Sequence, residues 1–473
     1  MNTSQLKSFS GLYTDFYQLT MAQVYFKKQK HLATATFDYF FRKNPFESGF
    51  TVFCGLEDLI DEIENFQFDE SAIEFLQNHG FEEDFLSFLR KFEFTGSIYS
   101  MQEGEIVFPN EPVLRVEANL IEAQLIETLL LNILNYESLI ATKTARVVLA
   151  AKGRAVSDFG MRRAQGLGSI HGSRAAIIGG ASSTSNVYSG KLFNLPVAGT
   201  MAHSFIQSYE DEHEAFKAYS DVFPENSIML IDTYDSLKSG IQNAIKVARE
   251  MQLRGQHLVG IRLDSGDLAY LSKKVRKMLD DADLKNVKIV VSNQLDEHLI
   301  KSLLDQGAPI DMFGVGTNLI TGKPNAALDG VYKLSSVDGQ NRMKLSDNAE
   351  KLTLPGAKHV MRLYSEDNLF YGDVVLKTEE PAAFKVVHPS DPSKHFDAGN
   401  FRQEHLFQLV VKNGSRTAEK KSVREIKQTV QYRLEQLPDE HKRFENPHVY
   451  KVGLSEKLKR ERDQLKSRYE SQF

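Results

Sequence analysis

Ile228-Met229-Leu230-Ile231-Asp232, Leu258-Val259-Gly260-Ile261-Arg262-Leu263-Asp264, Val287-Lys288-Ile289-Val290-Val291-Ser292-Asn293 and Met312-Phe313-Gly314-Val315-Gly316 share one pattern, a short apolar run ending in polar residues or glycine. After the first run, Leu237, Ile241, Ala244, Ile245, Ala248 and Met251 recur at helical spacing until Arg254-Gly255 stops them. After the second, Leu268, Leu271, Val275, Met278 and Leu279 share one helical face. The strand ends recur about every 22 to 30 residues, the length of a βα unit. This alternation, which runs from Ser157 to Leu319, predicts a parallel sheet covered by helices, either a barrel or a doubly wound sheet. Arg, Asp, Asn and Gly cluster just after each run, at the strand ends where such folds carry their sites. Asp, Asn and Ser are also good helix caps, so each alone is read either way. Four consecutive occurrences, two with glycines that cap nothing, favour function.

Outward from this core the pattern changes. Up to about Tyr136 helices mix with β-rich stretches: Phe37 to Phe41 is aromatic and strand-like, and Gly104 to Val116 carries the turn signals Gly104, Pro109-Asn110 and Pro112. Glu122 to Ile140 reads as one helix with Leu125, Leu129, Ile133 and Tyr136 on a face. After Leu334 the chain is β-like and turn-rich; Lys377 to Pro392 holds acidic and proline-bearing loops, and Ser455 to Ser467 reads as a charged terminal helix. The expected organisation is an N-terminal α/β domain over 1–136 and a barrel catalytic domain over 137–335. A C-terminal region, 336–473, completes the first domain and adds a peripheral extension.

With 473 residues the chain exceeds what one core usually supports. Its 41% hydrophobic and 25% charged residues are those of a soluble globular protein. A single cysteine, Cys54, excludes an internal disulfide framework and suits a reducing compartment. Asn2 to Ser8 lacks the marks of a signal peptide, and no run of about 18 apolar residues exists to span a membrane. A formal charge of −6 argues against a nucleic-acid surface. The expectation is a cytoplasmic protein with neither membrane nor nucleic acid as partner.

Four segments carry candidate chemistry. In Gly314-Val315-Gly316-Thr317-Asn318 the glycines let backbone N–H groups approach a phosphate and Thr317 adds a donor, with Ser292-Asn293 as a second loop; Gly-x-Gly also serves plain tight turns. In Arg262-Leu263-Asp264-Ser265-Gly266-Asp267 the carboxylates suit Mg²⁺ or ribose hydroxyls, and Arg262 suits a carboxylate or phosphate; a surface ion-pair turn is the alternative. His203, in Gly199 to Ser204, is the candidate nucleophile, with Asp232 as the carboxylate that fixes its tautomer. Ser157-Asp158-Phe159-Gly160-Met161-Arg162-Arg163 offers a ring to stack on a heterocycle and arginines to meet its carboxylate. His213, in the acidic stretch Glu210 to Glu214, reads as solvated surface.

These segments, with Tyr13-Thr14-Asp15-Phe16-Tyr17-Gln18-Leu19-Thr20-Met21, Phe40-Phe41-Arg42-Lys43-Asn44-Pro45-Phe46, Ala141-Thr142-Lys143-Thr144-Ala145-Arg146, Asp158 to Gly166 and Asn446-Pro447-His448-Val449-Tyr450, resemble the nicotinate phosphoribosyltransferase family over nearly the whole chain. The resemblance implies an irregular, TIM-like α/β barrel with an α/β sandwich domain built from the N-terminal and part of the C-terminal region, in a homodimer with shared sites. It implies that Tyr17 and Arg42 are donated across the interface, that Tyr17 and Phe159 sandwich the pyridine ring, and that Arg162 and Ser185 lie at the substrate. Arg42 and Arg262 then face phosphate or pyrophosphate, and Lys143, Asn293, Gly314, Gly316 and Thr317 bind phosphate. His203, Asp232 and Asp264 are the implied catalytic residues, with His203 phosphorylated by ATP. The implied reaction joins nicotinate to phosphoribosyl pyrophosphate at the start of NAD synthesis from nicotinate, with ATP as co-substrate and Mg²⁺ as cofactor, and no residue is assigned as the metal's ligand. The transfer passes through an oxocarbenium-like state as pyrophosphate leaves, which calls for cations at the leaving group and a ring held in line with C1′.

Two alternatives stand beside this. A nicotinamide phosphoribosyltransferase shares fold and motifs but resembles this chain less at Thr184-Ser185-Asn186, where it carries an acidic residue; the Ser185 hydroxyl can donate to a carboxylate that an aspartate would repel. A phosphate-binding barrel isomerase or aldolase predicts a lysine or glutamate base at a strand end, and none stands out.

Overall fold

The four apolar runs form the strands Ile228–Leu230, Gly260–Leu263, Lys288–Ser292 and Met312–Val315 in the computed structural model, which describes residues 11–345, 353–391 and 393–472. The expectation for Asn2 to Ser8 lies outside the described residues. With Ala155–Asp158 and Ser183–Thr184 they make a six-stranded parallel sheet. Its order is Ser183–Thr184, Ala155–Asp158, Met312–Val315, Lys288–Ser292, Gly260–Leu263, Ile228–Leu230, so the α/β class holds and the sheet is a half-barrel. Ile261, Leu263, Val291, Phe313 and Val315 are fully buried, as strands covered on both faces require.

The intervening helices are Ile241–Leu253, Leu268–Asp281 and Glu297–Asp305. The first is preceded by a π turn, Ser236–Gly240, whose start is fixed by Asp235 accepting the N–H groups of Leu237 and Lys238. Gly240 is required there, because a Cβ would sit 1.9 Å from the Ile231 carbonyl oxygen. Asp296 caps the third helix in the ordinary way, accepting from Leu299 N–H at 2.8 Å.

By its contacts the chain divides into two units, Ile140–Ala326 and a second made of Met1–Leu139 with Ala327–Phe473. The second unit holds a seven-stranded sheet in which Thr34–Phe41 lies between Gly330–Val337 and Leu114–Asn119, all antiparallel. Ser97–Ser100 pairs with Gln408–Lys412 at the other side of the same sheet. A six-stranded sheet in the same unit runs His395–Asp397, Lys385–Val387, Val452–Ser455, Phe370–Lys377, Lys358–Tyr364, Arg402–His405. The terminal helix spans Glu456–Glu470. Glu122 to Ile140 is not one helix: Leu120–Leu125 ends at Ile126, whose ψ of −5° breaks the turn, and a new helix runs Glu127–Ala150. Apolar spacing continues across the break, which hides it in the sequence. Among the described residues no helix is long and apolar enough to cross a membrane.

Candidate active site

The site is built at the carboxyl ends of the parallel strands, within the unit 140–326. His203 opens the short helix His203–Gln207, with its side chain 41% exposed. Its Nδ1 lies 3.0 Å from Thr233 Oγ1, while Nε2 faces two carboxylates, Asp232 Oδ1 at 4.0 Å and Asp264 Oδ2 at 3.9 Å. Asp232 is held from behind, since its Oδ2 accepts from the Asp264 N–H at 2.8 Å and the Ser265 hydroxyl at 2.6 Å. Its Oδ1 is buried without a hydrogen-bond partner, on a side chain only 2% exposed. The expected His203–Asp232 pair is thus brought together at ion-pair distance, and Thr233 takes the other ring nitrogen.

Arg262, at the next strand, spreads its guanidinium over three oxygens. Nε donates to Ser292 Oγ at 2.9 Å, Nη1 to Thr200 Oγ1 at 2.9 Å and Nη2 to Asp264 Oδ1 at 3.0 Å. Ser292 Oγ also bonds Asp264 Oδ1. The Arg262 guanidinium lies 5.5 Å from the centre of the Phe159 ring. That ring rests on Gly314, where a Cβ would come within 2.3 Å of it. Asp267, the second acid of the segment, is a helix cap, accepting from Tyr270 N–H at 3.0 Å. Asp264 instead stays with Arg262 and faces His203, so the two carboxylates part company.

Asn293 and Gln294 both take left-handed backbone angles, φ +87° and +52°, an unusual pair for residues with side chains. Asn318 holds them: its amide donates to the Gln294 carbonyl at 2.9 Å and the Leu295 carbonyl at 3.1 Å. The buried Asn318 therefore couples the Asn293 loop to the Gly314–Thr317 loop. Ser185 is half-buried, with its N–H donating to the Asp158 carbonyl at 2.8 Å, and Arg162 is exposed on the turn Met161–Arg163.

Three further expected residues are Lys143, Tyr17 and Arg42. Lys143, expected at a phosphate, is buried in an ion pair with Glu297, whose other oxygen takes Arg146 Nε at 2.9 Å. Burial works to raise the Glu297 pKa, and Lys143 and then Arg146 outweigh it, so the carboxyl stays below its usual range. Two buried cations share this one carboxylate, which offsets the cost of burying them. Tyr17 and Arg42 belong to the other unit. Tyr17 is half exposed on the helix Phe16–Lys27, and Arg42 lines a cavity of about 1600 Å³ in that unit, together with Lys43, Lys394 and Arg462. His213, expected as solvated surface, is instead half-buried, because Glu250 pairs with its ring at 3.0 Å.

Thr233 lies outside every expected segment, and Thr200 and Asn318 lie in expected segments without an assigned role. Small hydroxyl and amide side chains fall in no spacing pattern. Only adjacency to Asp232 could have pointed to Thr233.

Family models match along most of the chain. The nicotinate phosphoribosyltransferase (NAPRTase) N-terminal domain matches residues 12–135, the nicotinate phosphoribosyltransferase (NAPRTase) family 154–379, and the nicotinate phosphoribosyltransferase C-terminal domain 357–462. The chain is 46% identical over 457 residues to the nicotinate phosphoribosyltransferase of Bacillus subtilis (strain 168), covering 94% of this chain and 93% of that protein. With the enzyme of Caenorhabditis elegans it shares 35% identity over 514 aligned positions, covering 94% and 92%. The crystal structure of human nicotinic acid phosphoribosyltransferase superposes with a TM-score of 0.85 at 32% identity, covering 96% of this chain and 99% of that one. The strand-end carboxylates, the histidine between them and the glycine loops therefore sit in a chain that belongs to the nicotinate phosphoribosyltransferase family.

Proposed function

We propose that this nicotinate phosphoribosyltransferase couples transfer of the phosphoribosyl group to ATP through a phosphohistidine at His203. One observation carries the coupling: His203 is the only part of the strand-end cluster that presents a nucleophilic nitrogen, and its ring lies between Thr233 and two carboxylates. The carboxylates favour a proton on Nε2, which leaves the Nδ1 lone pair free to accept from the Thr233 hydroxyl. Rotation of that hydroxyl frees Nδ1 to attack the γ-phosphorus; the Nδ1–P bond forms as the bond to the ADP oxygen breaks. Asp232, pinned by Asp264 N–H and Ser265, stabilises the cationic ring without moving.

The remaining roles follow from chemistry. Phe159 stacks on the pyridine ring, with Ser185 and Arg162 towards its carboxylate, and Arg262 stands at the phosphate groups. Gly314, Gly316, Thr317 and Asn293 cradle the 5′-phosphate. Asp232 Oδ1 and Asp264 Oδ2 are hard oxygen donors, and the orphaned Oδ1 suits a Mg²⁺ ion, which when bound would neutralise charge on the pyrophosphate. Tyr17 and Arg42 come from the second copy of a homodimer. Nicotinate is favoured over nicotinamide by Ser185, whose hydroxyl donates where an acid would repel.

Labelling with [γ-³²P]ATP tests the coupling. Wild-type protein takes up an acid-labile label, and His203→Ala loses both the label and the stimulation by ATP while keeping slow synthesis of the mononucleotide. Label that survives His203→Ala, or an alanine variant still stimulated by ATP, overturns it.

A further inference from the structure

We infer that Asp158 is a positioning residue for the pyridine substrate, a buried carboxylate that locks the Phe159 ring and the Ser185 turn into one recognition surface; this rests on the roles given to Phe159 and Ser185 above. The Asp158 side chain is fully buried and three donors converge on it. Oδ1 accepts from Gly160 N–H at 2.8 Å, which fixes the residue after Phe159. Oδ2 accepts from the Thr184 hydroxyl at 2.7 Å, which fixes the residue before Ser185, and from Ser173 at 2.8 Å. The main chain repeats the link, with Ser185 N–H on the Asp158 carbonyl at 2.8 Å. Thr184 passes the constraint on, since its Oγ1 accepts the Asn186 N–H at 3.0 Å.

A carboxylate suits this junction because it only accepts, and all three groups donate. An asparagine of the same shape brings an NH₂ that at least one of the donors must face. Burial raises the Asp158 pKa, and the bonds from Thr184, Gly160 and Ser173 act against that.

One residue earlier, Ser157 Oγ lies 2.6 Å from Ser183 Oγ and ties the same two strands together without touching either recognition turn. That neighbouring clamp supplies a control. If Asp158 merely held the strands, the Ser157 clamp would be its equivalent. The Asp158 carboxylate, by contrast, bonds the neighbours of both recognition residues, Gly160 after Phe159 and Thr184 before Ser185.

The test is steady-state kinetics of the full-length enzyme, with nicotinate and phosphoribosyl pyrophosphate varied separately and folding checked by near-UV circular dichroism. Phe159→Ala and Ser185→Ala are run first; if neither raises the KM for nicotinate, the underlying reading of the ring site falls, and this inference with it. Given that they do, Asp158→Asn and Thr184→Val should raise the KM for nicotinate about ten- to hundredfold, while the KM for phosphoribosyl pyrophosphate stays within about twofold. Ser157→Ala should leave the ratio of the two KM values unchanged. The inference is overturned if Asp158→Asn keeps the wild-type KM for nicotinate, or if Ser157→Ala matches its effect. Should Asp158→Asn fail to fold, Thr184→Val decides alone: no selective rise in the KM for nicotinate refutes the positioning role.

Discussion

Asp232→Asn is the sharpest probe of the phosphohistidine mechanism, because the structure says which way the new amide must turn. Two donors, Asp264 N–H and Ser265 Oγ–H, hold Oδ2 of the native carboxylate. An asparagine satisfies them only by giving them its carbonyl oxygen, which turns its NH₂ towards His203 Nε2, where Oδ1 stands 4.0 Å away. A negative charge facing the ring becomes a partial positive one, and the tautomer with a proton on Nε2 loses its main support. Coulomb's law gives about 4 kcal/mol for a unit charge pair at 4 Å with an effective dielectric constant near 20. His203 is 41% exposed and Asp264 still faces it at 3.9 Å. Solvent screening and that remaining carboxylate reduce the loss to about 1.5–3 kcal/mol, or about ten- to hundredfold in the rate of phosphorylation. The assay is a single-turnover measurement with excess enzyme, [γ-³²P]ATP and alkaline quench, counting protein-bound label against time. Slow transfer of the phosphoribosyl group without ATP should persist, since Phe159 and the glycine loops are untouched. A folded variant that labels within about twofold of the wild-type rate refutes the argument and makes Asp232 a support for the Asp264 turn alone.

Ser185→Asp should weaken nicotinate binding about tenfold or more by facing its carboxylate with a like charge, read as the ratio of kcat/KM for nicotinate over nicotinamide; an unchanged ratio means that another residue discriminates. Mixing Tyr17→Ala with His203→Ala subunits should restore part of the activity that each lacks alone, and hybrids that remain inactive speak against sites shared between copies. Glu297→Gln leaves Lys143 and Arg146 buried without their common anion, at a cost of about 3–5 kcal/mol, visible as an earlier thermal transition. His359, desolvated and packed against His405, has its pKa pushed down to about 4 from the ordinary 6.5. The unfolded chain therefore binds a proton more readily than the folded one in that window, so stability should be full above pH 6.5 and fall as the pH drops towards 4. Thermal melts across that range should show a shallower decline in His359→Asn.

The strand ends were legible because each apolar run is short and breaks into charge or glycine, a signal that tertiary context rarely overrides. Arg262 and Asp264 were legible as a cluster because they lie two residues apart in sequence and meet in space at 3.0 Å. Asp267 shows the limit of that reading: three residues further on, the same residue type is a cap, and nothing in the spacing separates the two. The buried Lys143–Glu297 pair was not legible, because a lysine within a recognised segment carries no information about its burial, and Glu297 lies 154 residues away. Thr233 and Asn318 escaped because their roles are set by geometry between loops, which no local pattern encodes. The break at Ile126 escaped because Leu125 and Leu129 keep helical spacing on either side of it.

The sheet that unites Thr34–Phe41 with Gly330–Val337 has a consequence for how the chain is made. An edge laid down near the start of synthesis waits for a partner that emerges about 290 residues later, or about 15–60 s at translation speeds of 5–20 residues per second. During that interval the unit Ile140–Ala326 is made in full, and every strand of its parallel sheet has emerged before Gly330. The order of folding is therefore middle first and both ends last. Through the whole delay the backbone of Thr34–Phe41 offers one unpaired side, in a segment of four aromatic rings and a single charge. A ribosome-bound chaperone that covers residues 34–41 would matter more to the yield of this enzyme than one acting on the finished barrel.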